Sequence, residues 1–125
     1  MIIEDGLFRF ELAVRTEGPW YGDGVAVRVA ASHAGFAGAS DETWVDRAAL
    51  EQFAADLAAF ERTRRGEATL VGYAFRLRVF STDRSGHLAV QCEVERPSGA
   101  APAGVRDALS CGAAVDPGRL PGIVR

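Results

Sequence analysis

The chain has 125 residues, 48% of them hydrophobic and 25% charged, with a net charge of −3, the profile of one soluble globular domain over residues 1–125. All 14 basic residues are arginine, and lysine and asparagine are absent, which excludes a lysine Schiff base, a Walker-type phosphate loop and a kinase ion pair. Beside those absences, the 22 alanines point to a codon bias toward G and C rather than to functional selection.

Phe8, Phe10, Leu12 and Val14 alternate with Arg9, Glu11, Ala13 and Arg15, and this period of two predicts a half-buried strand. Turn chemistry follows at residues 17–24, rich in Gly and Pro. Val25, Val27 and Val29 then alternate with Ala26, Arg28 and Ala30, a second strand that closes a hairpin. Small residues dominate 35–40 before Thr43-Trp44-Val45, predicting a third strand with room for a bulge.

The spacing of Leu50, Phe53, Ala54, Leu57 and Phe60 predicts one amphipathic helix over residues 46–65. Asp46 is its expected N-cap, with a carboxylate placed to accept from first-turn amides. Arg62, Arg64 and Arg65 complement the dipole at its other end, and Gly66 suits a left-handed stop.

Four more strands are expected. They cover residues 68–73, 75–79, 87–95 and 108–115. In the third of these, Leu88, Val90, Cys92 and Val94 point inward while Ala89, Gln91, Glu93 and Glu95 point outward. Asp116-Pro117 reads as the cap and first-turn proline of a short C-terminal helical turn packed by Leu120 and Ile123. The expected class is therefore α+β: a mostly antiparallel curved sheet or sandwich of about seven strands, with the helix packed on it. The chain shows no internal repeat.

Residues 1–5 lack the basic start and apolar stretch of a signal peptide, and no run approaches the ~18 apolar residues of a membrane span. With only two cysteines, a reducing cytoplasm is the expected compartment, with no membrane partner. Residues 1–46 hold eight acids against three arginines, a local charge of −5. Such acidity argues against nucleic-acid binding, which needs a basic stripe. It describes either a solvated acidic face or a docking surface for a basic protein.

If Glu95 faces Ala108 across the last hairpin, Cys92 falls directly opposite Cys111. Both alternate with core residues, so structural thiols are expected, with a disulfide as the alternative. His33, His87 and the cysteines lack CxxC, HxH or HExxH spacing, so no metal is expected. The glycines of 99–104 lack a phosphate-binding pattern, and the chain has no GxSxG elbow. No cofactor and no catalytic residue are expected.

Trp20-Tyr21 sits at an expected loop tip. That pair either meets a partner or folds back over the sheet end. Trp44, beside Asp41 and Glu42 at the helix entrance, is expected to pack into the core. Gln91, Glu93 and Glu95 make one outward polar row, a second candidate recognition surface.

A set of segments in the middle and end of the chain carries a family resemblance. They are Gly35-Phe36-Ala37-Gly38, Glu42-Thr43-Trp44-Val45, the helix from Ala48 to Leu57, Gly66-Glu67-Ala68-Thr69-Leu70, the strand from Phe75 to Val79, Gly86-His87-Leu88-Ala89-Val90 and Asp116-Pro117-Gly118-Arg119-Leu120-Pro121. In order and spacing these resemble the WapI-like family of bacterial immunity proteins, named for the partner of a tRNA-nuclease toxin. The resemblance runs over residues 35–123, with Gly-His-Leu its most distinctive piece, and the Ala/Pro-rich loop at 100–103 departs from it. It implies a small cytoplasmic β-rich protein with one helix and no catalysis, which binds and blocks a cognate toxin domain. The residues themselves, not the resemblance, offer Trp20, Tyr21, Asp41, Glu42, Glu93 and Glu95 as expected contacts, with the acids of the first third, Asp41 and Glu42 foremost, standing in for phosphate on a basic nuclease surface. The alternative is a small-molecule-binding module with a pocket beneath the helix, into which Arg76, Arg78 and His87 would converge.

Overall fold

The computed structural model describes residues 1–17, 24–82, 87–97 and 106–116. Four strands come first: β1 (Ile2–Asp5), β2 (Phe8–Glu17), β3 (Gly24–His33) and β4 (Phe36–Asp46). Helix α1 (Arg47–Thr63) follows, then β5 (Glu67–Gly72), β6 (Phe75–Ser81), β7 (Leu88–Pro97) and β8 (Arg106–Val115). Each set of four pairs in chain order as an antiparallel meander, giving an N-terminal sheet β1–β4 and a C-terminal sheet β5–β8. The sheets face each other through β3 and β4 on one side and β7 and β8 on the other, while α1 packs on β4 and β5. The architecture is α+β, with eight strands in two sheets among the described residues rather than about seven. The short C-terminal helical turn expected after Asp116 lies outside the described residues.

The added strand is β1. Its four residues show no alternation long enough to notice, but Ile3 is fully buried opposite Phe10. A backbone pair, Leu12 N–H to the Met1 carbonyl at 2.9 Å, extends that ladder. At the far seam, the Asp116 amide donates to Asp5 Oδ2 at 2.8 Å, tying the end of β8 to β1.

Two bulges shape the N-terminal sheet. Val14 pairs with Val27 and Thr16 with Ala26, which leaves Arg15 as an extra residue in β2. Val27 pairs with Thr43 and Val29 with Ser40, so β4 carries its own extra residue around Asp41-Glu42. The β4 bulge agrees with the sequence expectation. Val14 stays in register with buried Val27 just before the β2 bulge but is half exposed, so it does not extend the buried set of Phe8, Phe10 and Leu12.

The helix differs from expectation at three points. Asp46 occupies the N-cap position but makes no side-chain cap hydrogen bond; it still pairs with Gly24 as the last residue of β4. The left-handed stop is Arg64 at φ 55°, whose amide reaches the Phe60 carbonyl, with Gly66 left-handed two residues later. Ala54 is exposed, so the buried stripe narrows to Phe53, Leu57 and Phe60, flanked by half-buried Leu50.

One continuous apolar core joins both sheets and the helix, from Ile3, Phe8 and Phe10 through Phe60 to Leu77, Val79 and Leu88. Burying side chains of this size contributes about 1.5–3 kcal/mol each. Alternation in β7 follows the sequence reading: Leu88, Val90, Cys92 and Val94 are buried, and Gln91 and Glu93 are exposed.

Candidate functional site

A groove of about 520 Å³ lies between the N-terminal sheet and the end of the β7–β8 hairpin. Its origin is in the register of β2, β3 and β4. Arg9 pairs with Ser32 and Ser32 with Ala37; Glu11 pairs with Ala30 and Ala30 with Ala39. These two rows place charge on β2 and only small side chains on β3 and β4. The other wall is supplied by Val94, Glu95 and Arg96 of β7 with Asp107, Ala108 and Leu109 of β8. Gly38 lets that wall come close: a Cβ there would meet the Leu109 Cβ at 3.2 Å. Because Ala37, Ala39, Asp107 and Ala108 are exposed, the groove is open to solvent rather than enclosed.

Ion pairs border both sides. Arg9 bridges Glu4 at 2.9 Å and Glu11 at 3.3 Å, and Arg96 bridges Asp107 at 3.0 Å. The lining holds three carboxylates, Glu11, Glu95 and Asp107, against two guanidiniums, Arg9 and Arg96. A neighbouring apolar surface extends from it. Asp5, Phe8, His33 and Phe36 form one row across the sheet, so the β1–β2 and β3–β4 turns share an end. Leu7 and Phe36 project there, 75% and 70% exposed. Two large exposed apolar side chains beside a groove are a recurring mark of a contact surface.

Residues singled out by sequence are distributed differently. Trp20 and Tyr21 lie outside the described residues. Asp41 is exposed in the β4 bulge, bridged by Arg28 at 2.8 Å, while Arg15 from the β2 bulge donates to its carbonyl. Glu42 follows it in β4. Glu4, Glu11 and Asp41 of the first third are thus paired with arginines of the same sheet. Glu95 lines the groove, whereas Glu93 faces a shallow depression on the opposite sheet with Arg76, Arg78 and Gln91. The outward polar row is therefore divided between two features. Arg78 is also held by Glu67 at 2.6 Å and lies over the Phe80 ring at 4.0 Å.

Beneath the helix, Phe53, Leu57 and Phe60 are packed into the core where the alternative reading needed a pocket. Arg76 and Arg78 lie instead in that depression, and His87 is exposed before β7. Trp44 is half-buried, not in the core, and stacks on Tyr73 with ring centroids 6.0 Å apart. Thr43 beside it donates to the Tyr73 carbonyl and the Tyr73 amide donates to the Trp44 carbonyl, fastening the β5–β6 turn to β4.

Cys92 and Cys111 are directly opposed, as the alternation implied, with their sulfurs 3.4 Å apart and both thiols free. Burial, first, and the neighbouring Cys111 push the Cys92 thiol up to about 12. No group of three or more His, Cys, Asp or Glu side chains is placed to hold a metal among the described residues. No helix among them is long and apolar enough to cross a membrane.

The sequence analysis missed the groove. Its available signal was the pair of small-residue runs at 30–32 and 37–39, which a tight turn at Ala34-Gly35 brings into register. Comparison with protein-family models, with curated proteins and with solved structures found no match to this chain.

Proposed function

We propose that this chain is a non-catalytic, immunity-type binding protein that docks a toxin domain through the groove and the Leu7/Phe36 end of the N-terminal sheet. The observation that carries the reading is the groove itself: a floor of Ala and Ser, a charged border, and exposed apolar side chains alongside. A basic protein surface with a protruding segment suits that combination, since small floor residues leave room and opposite charge steers approach. The resemblance to WapI-like immunity proteins supplies the class of partner, and the open shape favours a macromolecule over an enclosed ligand.

The test is a binding titration against the protein encoded immediately upstream of this chain. Ala37→Arg should weaken binding by about tenfold or more, equivalent to about 1.4 kcal/mol. Val71→Glu, on the outer face of the other sheet, should change it by less than about threefold, in keeping with a position outside the contact. Raised salt should weaken the complex. Absence of binding by the unaltered protein, or full binding by the Ala37→Arg variant, would overturn the assignment.

A second reading draws on the volume of the groove, about 520 Å³, which falls in the range of small-molecule sites. It would be favoured by a metabolite that raises the melting temperature of the unaltered protein but not of Ala37→Arg, with no binding to the toxin domain.

A further inference from the structure

Cys92 and Cys111 play no part in the groove, and burial alone would make them ordinary core fillers. Three observations set them apart. They are direct cross-strand partners in the β7–β8 ladder, and their sulfurs are 3.4 Å apart. The Cys92 sulfur also points at the Cys111 carbonyl, 3.5 Å away, so its side chain already leans toward the other strand. Access is unequal: Cys92 is 1% exposed, whereas Cys111 on the edge strand is half-buried.

We propose that Cys92 and Cys111 form a reversible dithiol–disulfide site, closed by exchange with a low-molecular-weight disulfide that enters at Cys111. Directly opposed Cβ atoms stand ~4.5–5.5 Å apart in a ladder, and a disulfide spans about 3.8 Å, so closure requires an approach on the order of 1 Å. Gly112 keeps the strands close at this point, since a Cβ there would lie 2.8 Å from the Val90 carbonyl oxygen.

The exchange proceeds in two displacements. The Cys111 thiolate attacks one sulfur of the small disulfide, the sulfur–sulfur bond of the reagent breaks, and one thiolate leaves. The Cys92 thiol then passes its proton to that thiolate and attacks the Cys111 sulfur, expelling the second thiolate of the reagent, which takes up from water the proton that Cys111 had released. The protein loses two hydrogens and the reagent is reduced to two thiols. The order is set by accessibility, and a Cys92 thiol held protonated at neutral pH is a poor first nucleophile. The resulting bond would join the edge strand β8 to β7 two residues after Leu109 in the groove wall, although the proposal does not depend on what the groove binds.

The test uses folded protein incubated with oxidised glutathione, then unfolded in an alkylating agent and weighed by mass spectrometry. The expected product is monomeric, lacks two hydrogens, carries neither alkyl group nor glutathione, and reverts under dithiothreitol. Cys92→Ala should stop at a single glutathione adduct on Cys111. Cys111→Ser should react at least about tenfold more slowly, because its remaining thiol is buried. Two alkylated thiols, a stable glutathione adduct on the unaltered chain, a disulfide-linked dimer, or equal reaction of the two variants would each overturn the proposal. The result on the unaltered chain needs neither variant to fold.

Discussion

The N-terminal and C-terminal sheets are both four-stranded antiparallel meanders, and they differ in how regularly their strands pair. In the first, extra residues at Arg15 and around Asp41-Glu42 interrupt the β2–β3 and β3–β4 ladders. In the second, the β5–β6, β6–β7 and β7–β8 ladders run without a shift. Bulges bend and twist a strand locally and re-aim its side chains. Here Arg15, Arg28 and Asp41 of the bulged strands meet on the surface. The uninterrupted sheet keeps strict alternation, and that regularity places Cys92 opposite Cys111.

The largest test of this contrast asks whether the sheets share one core. Phe10→Ala in the N-terminal sheet should cost about 3–5 kcal/mol, and Leu77→Ala in the C-terminal sheet about 2–5 kcal/mol. Denaturant titrations of both should remain single transitions, and a separate melt of either half would break the picture of a common interior.

Close strand approach offers a smaller and more local probe. Gly112→Ala places a methyl against a main-chain oxygen of β7, a neighbour that cannot rotate away, and should cost about 1–3 kcal/mol. Gly38→Ala meets only the Leu109 side chain and should cost less. Equal losses in the two variants would mean that the regular sheet yields as easily as the bulged one.

Alkaline pH acts on the C-terminal sheet through Cys92. Its folded value lies near 12 against an ordinary 9.0, so between those values the unfolded chain releases a proton that the folded chain retains. Stability from this group is complete below pH 9 and is lost as pH rises toward 12. Denaturation with reductant at pH 8 and pH 10 should show a steeper loss for the unaltered protein than for Cys92→Ala.

The smallest effect belongs to the bulged surface. Arg28 and Asp41 are paired at 2.8 Å with side chains 59% and 64% exposed, and exposed pairs contribute about 0–1 kcal/mol. Arg28→Ala should therefore leave the melting temperature nearly unchanged. A large drop would show that the bulges are braced by that pair.

What was legible in the sequence is what depends on local period. The alternation of Leu88, Val90, Cys92 and Val94 and the helical spacing of Phe53, Leu57 and Phe60 gave correct faces because the period of each element fixes which side chains share a face, although Ala54 of the expected stripe is exposed. Ile2–Asp5 escaped notice, since four residues carry too little periodicity and owe their strand to pairing with β2. The β2 bulge was equally hidden: nothing around Arg15 differs from a regular strand, and the shift exists only relative to β3. The groove requires Ala37 and Ala108, which lie far apart in the chain, to face each other, and no local pattern encodes that. Asp46 illustrates the converse: a suitable cap residue was retained by the ladder with Gly24 instead of serving the helix.

The hydrogen bond from the Asp116 amide to Asp5 bridges positions 111 apart in sequence. Such a link gains nothing until both sheets have been assembled, because the loop it closes is nearly the whole chain. Its formation is expected to fall late, on the native side of the barrier, a placement that a φ-value for the Asp5 contact would check. Weakening it would therefore leave the folding rate unchanged and hasten unfolding, making the β1–β8 seam a determinant of the lifetime of the native state rather than of how quickly it is reached.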